Sequence, residues 1–231
     1  MTSQGKGSIL LAVLALLTAL LSASAAFATP IASVPSWEVA SEFNDVSNPS
    51  GVWSYCEKAS VNNITCTLAS AWADPNNPND VKGWADTSTG VTIAHNVNPV
   101  PFTNNTYTYP ITVPAHALLM HPGSAGEYAV VRFTAPAKGK YRLSGQFYAL
   151  DGTNFGPNTY WDTTDVEIVK NITTTVFASN LDYLNGPKWT SFTTTPVVLN
   201  RGDTIDFQVG YGNGNYYFDS TGLNAVIEKI K

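Results

Sequence analysis

A two-residue alternation of apolar and polar side chains constrains this chain more than any other feature. In Tyr128-Ala129-Val130-Val131-Arg132-Phe133-Thr134 it sends Ala129, Val131 and Phe133 to one side of an extended strand, and Tyr128, Val130, Arg132 and Thr134 to the other. Pro136-Ala137-Lys138-Gly139 turns the chain, after which Tyr141, Leu143, Phe147 and Ala149 alternate with Arg142, Ser144, Gln146 and Tyr148. Thr164, Val166 and Ile168 alternate with Asp165 and Glu167. Behind the turn Asn200-Arg201-Gly202-Asp203, Ile205, Phe207 and Val209 alternate with Asp206 and Gln208. Short strands with one apolar and one polar face, punctuated by Gly, Pro and Asn, predict an all-β antiparallel β-sandwich, with a jelly roll preferred to an immunoglobulin-like Greek key.

Composition supports strands over helices, because charged residues are only 13% of the chain and long amphipathic helical windows are missing. The formal net charge is −5, and no cluster of Lys or Arg occurs. Nucleic acid and anionic membrane surfaces are therefore excluded as expected partners.

Residues 1–28 read as a signal peptide: Lys6 supplies the positive start, Ile9 through Leu21 form an apolar run interrupted only by Thr18, and Ala26-Phe27-Ala28 fits the A-x-A cleavage pattern. No membrane span is expected once it is removed. Residues 29–231 then read as a single β-sandwich domain with a long loop excursion around 73–110, where Asp74-Pro75-Asn76-Asn77-Pro78-Asn79-Asp80 opposes both helix and strand. In an oxidising compartment Cys56 and Cys66 are expected to form a disulfide across a short loop, contributing about 3 kcal/mol at most.

Three sets of residues carry candidate chemistry. His116, His121 and Glu127 lack the two-apart histidine spacing of a cupin metal site, and Pro122-Gly123 breaks the strand, so His121 reads as a hydrogen-bonded turn residue. Asp165, Glu167 and Asp206 supply carboxylates for a glycosidase, but without a compact catalytic motif. The aromatic residues in breaker-rich segments say more, since exposed rings stack on the apolar faces of sugars. Tyr160 and Trp161 lead, followed by Tyr216 and Tyr217. If the strands share one sheet, Arg132, Gln146, Tyr148, Asp165, Glu167, Asp206 and Gln208 add a hydrogen-bonding face.

The run His121-Pro122-Gly123, Tyr128 through Pro136, Gly139-Lys140-Tyr141 and Asp151-Gly152 resembles a secreted bacterial domain found among PEP-CTERM-type exported proteins. Thr163-Thr164-Asp165-Val166, Gly202 through Phe207 and Asp219 through Leu223 extend the resemblance. That family has no assigned activity. The chain is also broadly similar to jelly-roll carbohydrate-binding modules, which implies one structural calcium with Glu42, Asp45, Asp203 and Asp219 as oxygen donors. Its last residues, Glu228-Lys229-Ile230-Lys231, do not match the PEP-CTERM sorting signal, so anchoring by that route is not expected.

The expected protein is thus a secreted, extracellular, non-catalytic binder of a glycan or surface polymer, with no cofactor required. A structural surface-layer or matrix protein and a polysaccharide-active enzyme using paired carboxylates are the alternatives. N-terminal sequencing of exported material should read Thr29-Pro30-Ile31, and Met1 retained in the secreted pool would refute the cleavage.

Overall fold

The computed structural model describes residues 34–59, 67–68, 70–73, 81–104, 111–151, 161–212 and 215–230, with 67–68 and 70–73 described by backbone alone. The predicted signal peptide, the breaker run 74–80, Cys66 and hence its predicted bridge to Cys56, and Tyr160 lie outside them. No helix among the described residues is long and apolar enough to cross a membrane.

Two antiparallel sheets form the body of residues 34–230. The first runs in the order β14 (Trp189–Thr193), β11 (Gly139–Ala149), β17 (Thr221–Ile230), β9 (Leu118–His121), β6 (Thr92–Asn96), β5 (Val81–Ala85) and β4 (Ser70–Ala73). Strand β1 (Ser36–Glu38) pairs with β17, and β15 (Val197–Leu199) pairs with β11. The second sheet runs β13 (Thr174–Asn180), β12 (Asp165–Lys170), β16 (Thr204–Gly210), β10 (Tyr128–Thr134), β2 (Trp53–Lys58) and β3 (Thr67–Leu68). A separate hairpin joins β7 (Phe102–Asn104) to β8 (Ile111–Val113). From β10 onward the chain crosses repeatedly between the sheets, as the jelly-roll expectation requires.

The alternation has its predicted consequence between the layers. Ala129, Val131 and Phe133 of β10, Ile205, Phe207 and Val209 of β16, and Val166 and Ile168 of β12 face Tyr141, Leu143 and Phe147 of β11 and Leu223, Ala225 and Ile227 of β17, in one dry core. Trp53, Tyr55 and Trp84, aromatic residues in or beside breaker-rich stretches of the sequence, belong to that core. In β2 the Cys56-Glu57-Lys58 end hides the period, and β5 has only five residues, yet all three rings are buried between the sheets.

The structure corrects two expectations. Within the expected loop excursion around 73–110, the described residues 81–104 are not loop throughout, because β5, β6 and β7 lie there and put Val81, Ile93 and Ala94 out of solvent. Three- to five-residue strands between Pro and Asn breakers leave too few positions for alternation to be read. Gln146 and Tyr148 do not share a sheet with the other polar-face residues either. They lie on β11, in the first sheet, where Tyr148 packs beside a small apolar cluster of Val81, Ala94, Val113, Ala117 and Leu119.

On the outer side of the second sheet Asp206 is fully buried and takes two cations, Arg132 from the adjacent β10 and Lys58 from β2 beyond it. Lys58 Nζ approaches its Oδ2 to 2.5 Å, and Arg132 donates from Nε to Oδ1 at 2.6 Å and from Nη2 to Oδ2 at 2.9 Å. Burial lowers the Lys58 pKa from its ordinary value, with the Asp206 charge opposing the shift. Replacing Asp206 with Ala leaves Lys58 unpaired in a dry site and is expected to cost about 3–5 kcal/mol in urea unfolding. Adding Lys58→Met should recover part of that loss. An unchanged midpoint for Asp206→Ala would show that the ion cluster contributes nothing to stability.

Candidate functional site

Register places the polar residues of the second sheet in rows. Lys58 lies opposite Tyr128, and Asp165 lies opposite Gly210 and Asn180. In the next row, Cys56 and Val130 lead across to Gln208 and Glu167, and Arg132 and Asp206 follow. The face is not the open hydrogen-bonding surface expected from alternation. Val130, Val169, Asp206 and Gln208 are all 0% exposed, and Arg132 and Asp206 are committed to each other. Glu167 Oε2 and both amide atoms of Gln208 are buried with no hydrogen-bond partner.

The face opens into a depression at its upper row, where the strands meet the loops that follow β16 and precede β10. Asp165 Oδ1 accepts the Gly212 N–H at 2.8 Å. Gly212 has φ +57°, and a Cβ there would strike the Thr163 carbonyl, so glycine is required for this approach. Gly210 likewise yields its side-chain space to the Tyr128 ring and the Asp165 carboxylate. Burial, and then the adjacent Asp165 charge, raise the Tyr128 pKa. Tyr128, Tyr211, Asp165 and Gly212, with Ala125 and Gly126, line an open depression of about 360 Å³. Asp165 and Gly212 also wall a second one, of about 330 Å³, completed by Thr163, Asn180 and Asp182.

Behind this row the loops bury three carboxyl groups. Asp219 Oδ1 accepts the Thr163 N–H at 2.9 Å, Asp162 Oδ1 accepts the Thr164 hydroxyl at 3.0 Å, and Asp151 Oδ2 accepts the Ser220 N–H at 2.9 Å. The Oδ2 atoms of Asp162 and Asp219 are buried and have no partner. Burial, reinforced by the charges of Asp151 and Asp165, pushes the Asp219 pKa up to about 8 against the pull of its bonds to Thr163. Asp162 is raised well above its ordinary value by burial and by Asp219. Phe218, at φ +66°, sits between an inward Asp219 and an exposed Tyr217.

Trp161 is half-buried, with its indole N–H buried and unpartnered. Tyr216 and Tyr217 stand together with ring centroids 4.4 Å apart, and Tyr216 meets His121 edge-on at 6.2 Å. His121 Nδ1 bonds the Pro122 carbonyl at 2.8 Å, as expected of a turn residue. Glu42, Asp45, Asp203 and Asp219 do not converge on a calcium site. Glu42 accepts from the Trp53 indole and Asp203 from the Asn200 N–H in the turn before β16, while Asp219 lies in the loop at the far end of that strand. Among the described residues no three His, Cys, Asp or Glu side chains are grouped to hold a metal.

Tyr211, Gly212, Asp151 and Asp162 were not singled out for the site by sequence. The glycines flanking Tyr211 were the available signal, since Gly-Tyr-Gly after a strand marks a close backbone approach.

No family model matches this sequence, and no curated protein matches it. Among solved structures, a complex of Arthrobacter globiformis T6 isomalto-dextranase with panose aligns at 13% identity and TM-score 0.30, covering 78% of this chain and 23% of that one. Tandem family 51 carbohydrate-binding modules of a Streptococcus pneumoniae glycoside hydrolase align at 17% and 0.37, covering 70% and 44%. A family 51 module from Clostridium perfringens, in complex with methyl-galactose, aligns at 11% and 0.33, covering 60% and 88%. The chain thus spans under a quarter of the isomalto-dextranase. Likeness at these scores leaves the architecture to be argued from the strands themselves.

The raised carboxyl groups set a pH dependence. Between the ordinary Asp value of 3.8 and about 8, folded Asp219 holds a proton that the unfolded chain releases. Its contribution to stability is therefore full below the lower value and lost as pH rises towards the upper one. Tm is expected to fall between about pH 5 and about pH 8.5, and Asp219→Asn should flatten much of the fall. A Tm rising across that window, or an unaltered slope in Asp219→Asn, contradicts the assignment.

Proposed function

We propose that this chain is an exported, non-catalytic binding protein for extracellular carbohydrate, with the sugar seated at the loop end of the second sheet. The observation that carries this reading is the depression where Tyr128 and Tyr211 flank Asp165. Aromatic rings receive the apolar face of a sugar, and a carboxylate fixed by a backbone N–H receives its hydroxyls. Tyr217, 56% exposed, and Tyr216 extend the aromatic surface along the same loop. The hydrolytic alternative is weakened at Asp206, which Lys58 and Arg132 hold out of solvent.

Screening the mature protein on a glycan array, with and without calcium, tests the proposal. A defined set of glycans should bind, and Asp165→Ala and Tyr211→Ala should each weaken binding at least about tenfold, equivalent to about 1.4 kcal/mol, with the fold retained. Self-association without glycan preference would return the surface-layer reading, and release of reducing ends would return the enzyme.

A further inference from the structure

Charge is divided between the two ends of the second sheet and its partner strands. The loop end carries Glu127, Asp151, Asp162, Asp165, Asp182 and Asp219, whereas Lys138, Lys140, Lys170, Arg201 and Lys229 outnumber Asp203 and Glu228 at the opposite end, where β10 turns into β11 and β15 into β16. Among the described residues two cations approach the loop end, and both are engaged. Lys58 is buried against Asp206, and Lys188 sits over the Tyr183 ring at 4.0 Å. The intervening segments 60–66, 152–160 and 213–214 contain no Lys or Arg.

A sugar carboxylate entering beside Asp165 therefore meets negative charge and no counter-ion. An ammonium group meets the Asp165 carboxylate and the rings of Tyr128 and Tyr211, which attract a cation across their faces. The next row of the same face adds a carboxylate and no cation. Glu167, two residues along the same strand face, has a carboxylate oxygen without a donor, and Gln208, opposite it and 0% exposed, has neither amide atom bonded. Buried groups of this kind are normally satisfied by a partner.

Resting on the carbohydrate reading above, we infer that the loop-end depression selects sugars bearing a free amino group over their N-acetylated and uronic counterparts. Isothermal titration of the mature chain with hexamers of glucosamine, N-acetylglucosamine and galacturonate, in EDTA and at a pH where the amine is protonated, tests this. The glucosamine hexamer should bind at least about tenfold more tightly than either of the others, and added salt should weaken it. Asp165→Asn should abolish the preference without changing Tm, because its side-chain oxygen still accepts the Gly212 N–H. Equal or tighter binding of the acetylated or uronic hexamer, or a preference that survives in Asp165→Asn, overturns the inference. Uronate binding restored by calcium overturns it as well. Neutral glycans bound without charge preference remove the inference and leave the carbohydrate reading standing, while a blank glycan array removes both.

Discussion

Asp206 has no contact with solvent, and the two cations that neutralise it come from different strands of its sheet. The cluster ties β2, β10 and β16 together on the side away from the core, where hydrophobic packing between the layers cannot act. Removing a charge from water is costly unless its partners are well placed, so strand register here is held by electrostatics as well as by hydrogen bonds. The same cluster consumes Lys58 and Arg132. What remains in the upper two rows is Asp165, Glu167 and the tyrosines, and the electrostatic character of the depression follows from that depletion.

The sandwich was legible wherever a strand was long enough to show its period. Strands β10, β11, β12 and β16 were placed with the correct inward residues, because six to eleven residues of alternation leave little choice of face. The stretch 81–104 was misread as loop because its strands run only three to five residues between breakers. Sheet membership was invisible for a different reason. Alternation tells which way a side chain points within its own sheet but says nothing about which sheet that is, and so Gln146 and Tyr148 were grouped with Asp165 and Glu167.

The site was legible only in part. Asp165, Tyr216 and Tyr217 were found from strand phase and loop aromatics, whereas Asp151 and Asp162 acquire their meaning from burial by distant segments. Gly212 shows the difference in kind. Its role depends on Thr163 and Asp165 crossing above it, a contact between residues 47 apart that no local pattern records.

The pairing of β1 with β17 joins the first described strand to the last, with Trp37 opposite Ile227, and Lys58 meets its counter-ion 148 residues away. Contacts so far apart in sequence form only after large loops have closed, which places this topology among the slow folders. A chain emerging from its N-terminus has β1 in hand long before β17 exists to receive it. Strand β1 must therefore stay unpaired until synthesis is nearly complete, whereas β2 can pair with β3 at once, so the last residues made are the ones that close the first sheet over the N-terminal segment.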